Sequence, residues 1–143
     1  MRQVLRPGGT VAVAVWDESK VNPWATIPNR AMVKLGHAAP PPEGGPGMFA
    51  LAARGRLAEL LEEAGFVEPV VETVEIERTY EDIGAFVAET SDLSQTFGRP
   101  FRALDETGQH EVAREIAVLA EPFTGDDGSI VLPGRSLVAA AKA

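Results

Sequence analysis

A chain of 143 residues that is 45% hydrophobic can bury one ordinary core, and residues 1–143 are expected to form a single domain. A formal net charge of −8, with only 13 Lys and Arg in total and those dispersed, excludes nucleic-acid binding, because neutralising phosphates needs clustered cations. The absence of cysteine excludes disulfides, thiolate metal sites and cysteine nucleophiles and fits a reducing cytoplasm, and no apolar stretch reaches the ~18 residues of a membrane span.

Residues 1–6 make barely one helical turn before Pro7, too little to sustain a helix in water, and read as the stump of an element that begins elsewhere. Gly8 and Gly9 are expected to supply the positive φ angles of a tight turn. The apolar run from Thr10 to Trp16 then predicts a strand of central character, with neighbours on both edges and cover on both faces. Asp17 to Val21 reads as a polar exit loop. Asn22 as N-cap and Pro23 at the first helical position start a helix with Trp24, Ile27, Ala31 and Leu35 at helical spacing; Pro28 is placed to kink it and Gly36 to stop it.

The Pro/Gly-rich stretch 38–47 excludes regular structure and serves as a lid or linker. From Ala52 to Ala64 a helix is predicted, with Leu57, Leu60, Leu61 and Ala64 on one stripe and Gly65 as its left-handed stop. Phe66 opens a strand in which Val74 and Ile76 alternate with Thr73, Glu75 and Glu77, one face packed and the other wet, near a sheet edge. Thr79 and Asp82 are spaced like a capping box before a short helix with Ile83, Phe86 and Val87. Periodicity fades from Ser91 to Pro100. Asp105 caps a helix with Val112, Ile116 and Leu119 that ends before Pro122, and residues 125–128 form a turn. The closing strand, from Ile130 to Ala141, is interrupted at Pro133-Gly134 by a bulge or kink. The acidic residues Glu59, Glu62, Glu63, Glu75 and Glu77 read as solvated surface.

In order, Val4-Leu5-Arg6-Pro7-Gly8-Gly9, the Leu57 to Leu61 helix, Glu63-Ala64-Gly65-Phe66 and the strand behind it resemble the C-terminal half of class I S-adenosylmethionine-dependent methyltransferases acting on small molecules. The resemblance spans nearly the whole chain. It implies that the proline-glycine turn introduces the family's fifth strand, that Ala64-Gly65-Phe66 leads into the sixth, and that an antiparallel seventh closes the sheet. The expected fold is therefore α/β: a partial Rossmann-like methyltransferase sheet of about three strands, the last antiparallel, with flanking helices. The family's cofactor cradle, a glycine-rich turn after the first strand and an acidic residue ending the second, would lie upstream of these residues. Neither Gly8-Gly9 nor Gly44-Gly45-Pro46-Gly47 follows a buried strand and opens a helix, so no cofactor-binding residue is assigned.

Methyl transfer depends mostly on alignment, so a catalytic motif need not be visible, and no catalytic residue is assigned. His37 and His110 read as surface histidines, and two histidines without cysteine do not suggest a structural zinc site. No Ser-His-Asp set, HExxH sequence or P-loop is present. Ligands of open α/β sheets bind outside the carboxyl ends of strands, which makes Trp16, Asn22 and Trp24 candidate substrate-binding residues by the resemblance. The alternatives are that Trp24 packs its helix onto the sheet and that Asn22 only caps it. Phe49, with Met48, either lines the same pocket or anchors the loop.

The chain is thus expected to be the substrate-side part of a small-molecule methyltransferase, inactive alone; S-adenosylmethionine belongs to the full-length family and is not expected to bind here. The alternatives are a stand-alone binding or assembly module derived from such an enzyme and, further off, an unrelated α+β dimer. The open edge expected on the first strand points to a partner, either a second copy in a homodimer or a missing N-terminal half.

Overall fold

The computed structural model describes residues 5–42, 45–53 and 55–143. Residues 1–4 of the helix stump expected over 1–6, among them Val4 of the turn motif, and Glu43 and Gly44 of the Pro/Gly stretch lie outside the described residues. The elements are β1 (Thr10–Trp16), α1 (Pro23–Lys34), α2 (Arg56–Glu63), β2 (Val67–Tyr80), α3 (Ile83–Leu93), α4 (Gln95–Arg102), α5 (Glu106–Ala120) and β3 (Ile130–Lys142), with 3-10 turns at Ser19–Val21 and Glu121–Phe123. The chain is α/β, as expected, with a three-stranded sheet in the order β1-β3-β2. β3 runs antiparallel to β1, from Thr10 opposite Lys142 to Trp16 opposite Ser136. Ion pairs Arg135–Glu75 (3.9 Å) and Lys142–Glu68 (2.6 Å) run in opposite senses along β3 and β2, so that pair is antiparallel too.

Contacts cluster the chain into two compact units, one drawn from Met1–Asn22, Gly44–Ile76 and Arg135–Ala143, the other from Pro23–Glu43 and Glu77–Gly134. In the first, Gly8 takes φ +75° and Gly9 N–H closes the turn on the Arg6 carbonyl at 2.8 Å. Only Gly8 has the positive φ expected of both glycines; Gly9 is restricted by space, since a Cβ there would lie 2.9 Å from the Arg6 carbonyl. Alternation along β1 puts Val11, Val13 and Val15 on the face that packs with Leu137, Ala139 and Ala141 of β3 and with Leu57, Leu61 and Phe66. α2 ends as expected: Gly65, at φ +81°, donates to Glu62 and Phe66 to Leu61, which satisfies two terminal carbonyls.

The opposite face of the sheet corrects two expectations. β1 is an edge strand covered on one face only: Ala12 and Ala14 are exposed. Its apolarity is real, but the residues turned outward are alanines, whose small surface costs little in water. In β2, Val74 stays 41% exposed and Ile76 is half-buried, so the face expected to pack is only partly covered; the expected edge position does hold. The acidic side chains of α2 and β2 are solvated, Arg56 of α2 pairing with Glu63 at 3.1 Å.

The second unit is helical. Ile27, Ala31 and Met32 of α1, Phe86 and Val87 of α3, Phe97 and Phe101 of α4, and Val112, Ile116 and Ala120 of α5 form its core with Tyr80, Ile130 and Leu132. Asp105 caps α5 through Gly108 N–H at 2.8 Å, as expected. α3 is capped by Asp82, which accepts from Ala85 N–H at 2.8 Å, not by Thr79; β2 extends through Thr79 and leaves it no cap position. α4 was hidden in the sequence by Gly98 and Pro100, yet Ser94 caps it and Phe97 stacks on Phe101 at 5.0 Å. β3 runs as one strand through Pro133-Gly134.

Candidate functional site

The buried polar groups of the first unit gather where β1 ends. Asp17 follows Trp16 directly and is 6% exposed; Asn22 is completely buried. Asp17 Oδ2 accepts from Arg135 Nε at 2.6 Å, and its Oδ1 from Glu18 N–H at 2.7 Å, so both carboxylate oxygens are engaged. Asn22 treats Arg135 as a neighbouring strand would. Its Oδ1 accepts the Arg135 N–H at 2.9 Å, and its Nδ2 donates to the Arg135 carbonyl at 3.0 Å, as well as to the Asp17 (3.2 Å) and Glu18 (3.1 Å) carbonyls. Asp17 N–H donates in turn to the Arg135 carbonyl at 3.0 Å. A segment of β3 is thereby welded to the exit of β1, with each buried polar atom satisfied.

This arrangement walls a cavity of about 490 Å³ within the same unit. Asp17, Lys20, Thr73 and Arg135 give it polar walls, and Leu57 and Leu137 apolar ones. Lys20 pairs with Glu18. The cavity lies at the carboxyl end of β1, where open α/β sheets place their ligands. Its size falls within the roughly 300–1,000 Å³ of small-molecule sites.

None of the four candidate residues is among those that line this cavity. Asn22 stands behind Arg135 as its positioning partner. Trp16 closes β1, half-buried, opposite Ser136. Phe49 is half-buried in a turn in which Ala52 N–H donates to its carbonyl at 3.1 Å. Trp24 belongs to the other unit, where it packs against the helical core with Arg78 4.9 Å above its ring. His37 is half-buried after α1, and His110 is exposed on α5. Among the described residues no group of three or more His, Asp and Glu is placed to hold a metal ion.

Asp17 and Arg135, the ion pair in the cavity wall, are not among the candidates that the sequence offers. An aspartate at the exit of a wholly apolar strand was the available signal for one of them. Arg135 follows the Pro133-Gly134 dipeptide, and only the sheet register carries it to Asp17.

No family model matches the chain, and no curated protein does. Among solved structures the chain is similar to a Bacillus halodurans C-125 protein described as a "putative methyltransferase", with 16% identity and a TM-score of 0.42. The match covers 97% of this chain and 57% of that one, so the chain spans little more than half of its solved counterpart.

Proposed function

We propose that these residues form the substrate-side, C-terminal part of an S-adenosylmethionine-dependent methyltransferase acting on a small molecule, and that they are inactive alone because the cofactor cradle belongs to another polypeptide segment. The observation that carries this is β1: seven residues with no charge among them, ending the sheet as an edge strand with one face uncovered. Natural edges are usually blunted by charge, proline or bulges, as β2 is by Pro69, Glu72, Glu75 and Glu77. β1 has no such protection, which suits a strand meant to be paired. The motifs that carry the resemblance also have the required local form, a closed turn at Gly8-Gly9 before β1 and a left-handed stop at Gly65 before β2.

Among the described residues no glycine turn follows a buried strand and opens a helix, which supports the reading that S-adenosylmethionine is held elsewhere. The Gly8-Gly9 turn leads into a strand, so it offers no helix N-terminus to a nucleotide, and the left-handed Gly55 before α2 follows a loop and not a buried strand. Calorimetric titration of this chain with S-adenosylmethionine is expected to show no binding tighter than millimolar; micromolar binding overturns the proposal.

A second reading, a stand-alone binding module derived from such an enzyme, is favoured by the cavity, whose described lining residues all belong to one unit. The reading frame upstream of the start codon separates the two. An in-frame strand, glycine-rich turn and helix there supports the enzyme part, and its absence supports the module.

A further inference from the structure

The cavity at the exit of β1 is lined by Arg135, whose guanidinium is hydrogen-bonded at one nitrogen and meets only a long ion pair with the exposed Glu75 at another. Arg135 Nε donates to the buried Asp17, and the backbone on either side of its Cα is fixed by Asn22. Among the described residues, Nη1 and Nη2 donate no hydrogen bond; the Glu75 carboxylate lies 3.9 Å from Nη1, on a side chain that is 71% exposed. An arginine whose Nε is occupied still presents Nη1 and Nη2 as a planar fork, which matches the two oxygens of a carboxylate. Because the Asp17 partner already fixes the plane, little side-chain freedom remains to be lost on binding.

Beside the fork the wall turns apolar, with Leu57, Ala58, Val71 and Leu137. Among the described residues the charges around it are Asp17, Glu18 and Glu75 against Lys20 and Arg135, one negative charge in excess. A monoanion therefore adds one uncompensated charge to a chain already at −8, and a phosphate close to two.

We propose that this cavity binds a small monocarboxylic acid with an apolar body, the carboxylate on Nη1 and Nη2 of Arg135 and the body against Leu57, Val71 and Leu137. The site stands on its own geometry and does not depend on methyl transfer.

The test is calorimetric titration of the full chain with hexanoate, hexanamide and hexyl phosphate, three probes sharing one apolar body. Hexanoate is expected to bind at least about tenfold more tightly than the uncharged amide, the difference reflecting the charge-assisted fork. Arg135→Lys keeps the charge but loses the fork, and is expected to bring hexanoate close to the amide. Ala53→Trp fills the same cavity from an exposed position and leaves the Asp17–Arg135 pair alone, so it keeps the test alive if the arginine variant does not fold. It is expected to weaken hexanoate at least about tenfold while the circular dichroism spectrum stays unchanged. Equal binding of acid and amide, tighter binding of hexyl phosphate, no binding of hexanoate, or indifference to Ala53→Trp each overturns the proposal.

Discussion

The Asn22 side chain serves a strand, through the Arg135 backbone. In its completely buried amide, Oδ1 accepts the Arg135 N–H and the two Nδ2 hydrogens are shared among the Asp17, Glu18 and Arg135 carbonyls, so the geometry requires an acceptor at Oδ1 and a donor at Nδ2. Asn22→Asp replaces that donor with an oxygen facing the Asp17, Glu18 and Arg135 carbonyls. It is expected to destabilise the fold by about 3 kcal/mol, more than Asn22→Ala, as read by urea unfolding. Tyr80, the one tyrosine of the chain, gives a second readout. Burial, chiefly, pushes its hydroxyl up to about 12, and Glu89, which accepts its hydrogen bond at 3.1 Å, acts in the same direction against the pull of Arg78. The folded state thus keeps its proton where the unfolded state, with a pKa of about 10, has lost it. Stability from this group is complete below pH 10 and lost as the pH rises towards 12. Phenolate absorbance should accordingly appear near pH 12, together with unfolding; a midpoint near 10 with the fold intact contradicts the burial.

At the scale of elements, α3 and α4 meet at a contact that allows no side chain. A Cβ on Gly98 would lie 1.9 Å from the Ser91 carbonyl oxygen, which also accepts from Arg102 Nη1 at 2.6 Å. Gly98→Ala must push the two helices apart and break that hydrogen bond, although alanine favours helices. The expected loss is about 2–3 kcal/mol in urea unfolding, against the gain of roughly 1 kcal/mol that propensity alone predicts. The same contact explains why α4 was not legible in sequence. Glycine and proline inside it suppress the local helix signal, and helix formation there rests on the Ser94 cap and on burial of Phe97 and Phe101. α1, α2 and α5, with their caps or glycine stops and uninterrupted apolar stripes, were readable within a few residues; α2 starts at Arg56 rather than Ala52.

For the molecule as a whole, the uncharged edge of β1 is the feature most open to another chain. Two copies are expected to pair through it. Each carries a charge of −8, so screening should favour the pair. Size exclusion with light scattering at micromolar concentration should therefore show a dimer whose fraction rises with salt, and Ala12→Lys with Ala14→Lys should return it to monomer. A monomer at every salt concentration counts against the idea. Among the described residues no helix is long and apolar enough to cross a membrane.

Local chemistry by itself determined much of this protein. The turn at Gly8, the stops at Gly36 and Gly65, the cap at Asp105, the exposed acidic faces and the three strands follow from φ preferences, hydrogen-bond needs and hydrophobic period, all of which act over a few residues. Tertiary structure decided the rest. It set β3 between β1 and β2, made β1 an edge with one bare face, and carried Arg135 across 118 positions of chain to Asp17. Strand order and long-range pairing are fixed by which apolar faces can be buried together, and no window of neighbouring residues contains that information.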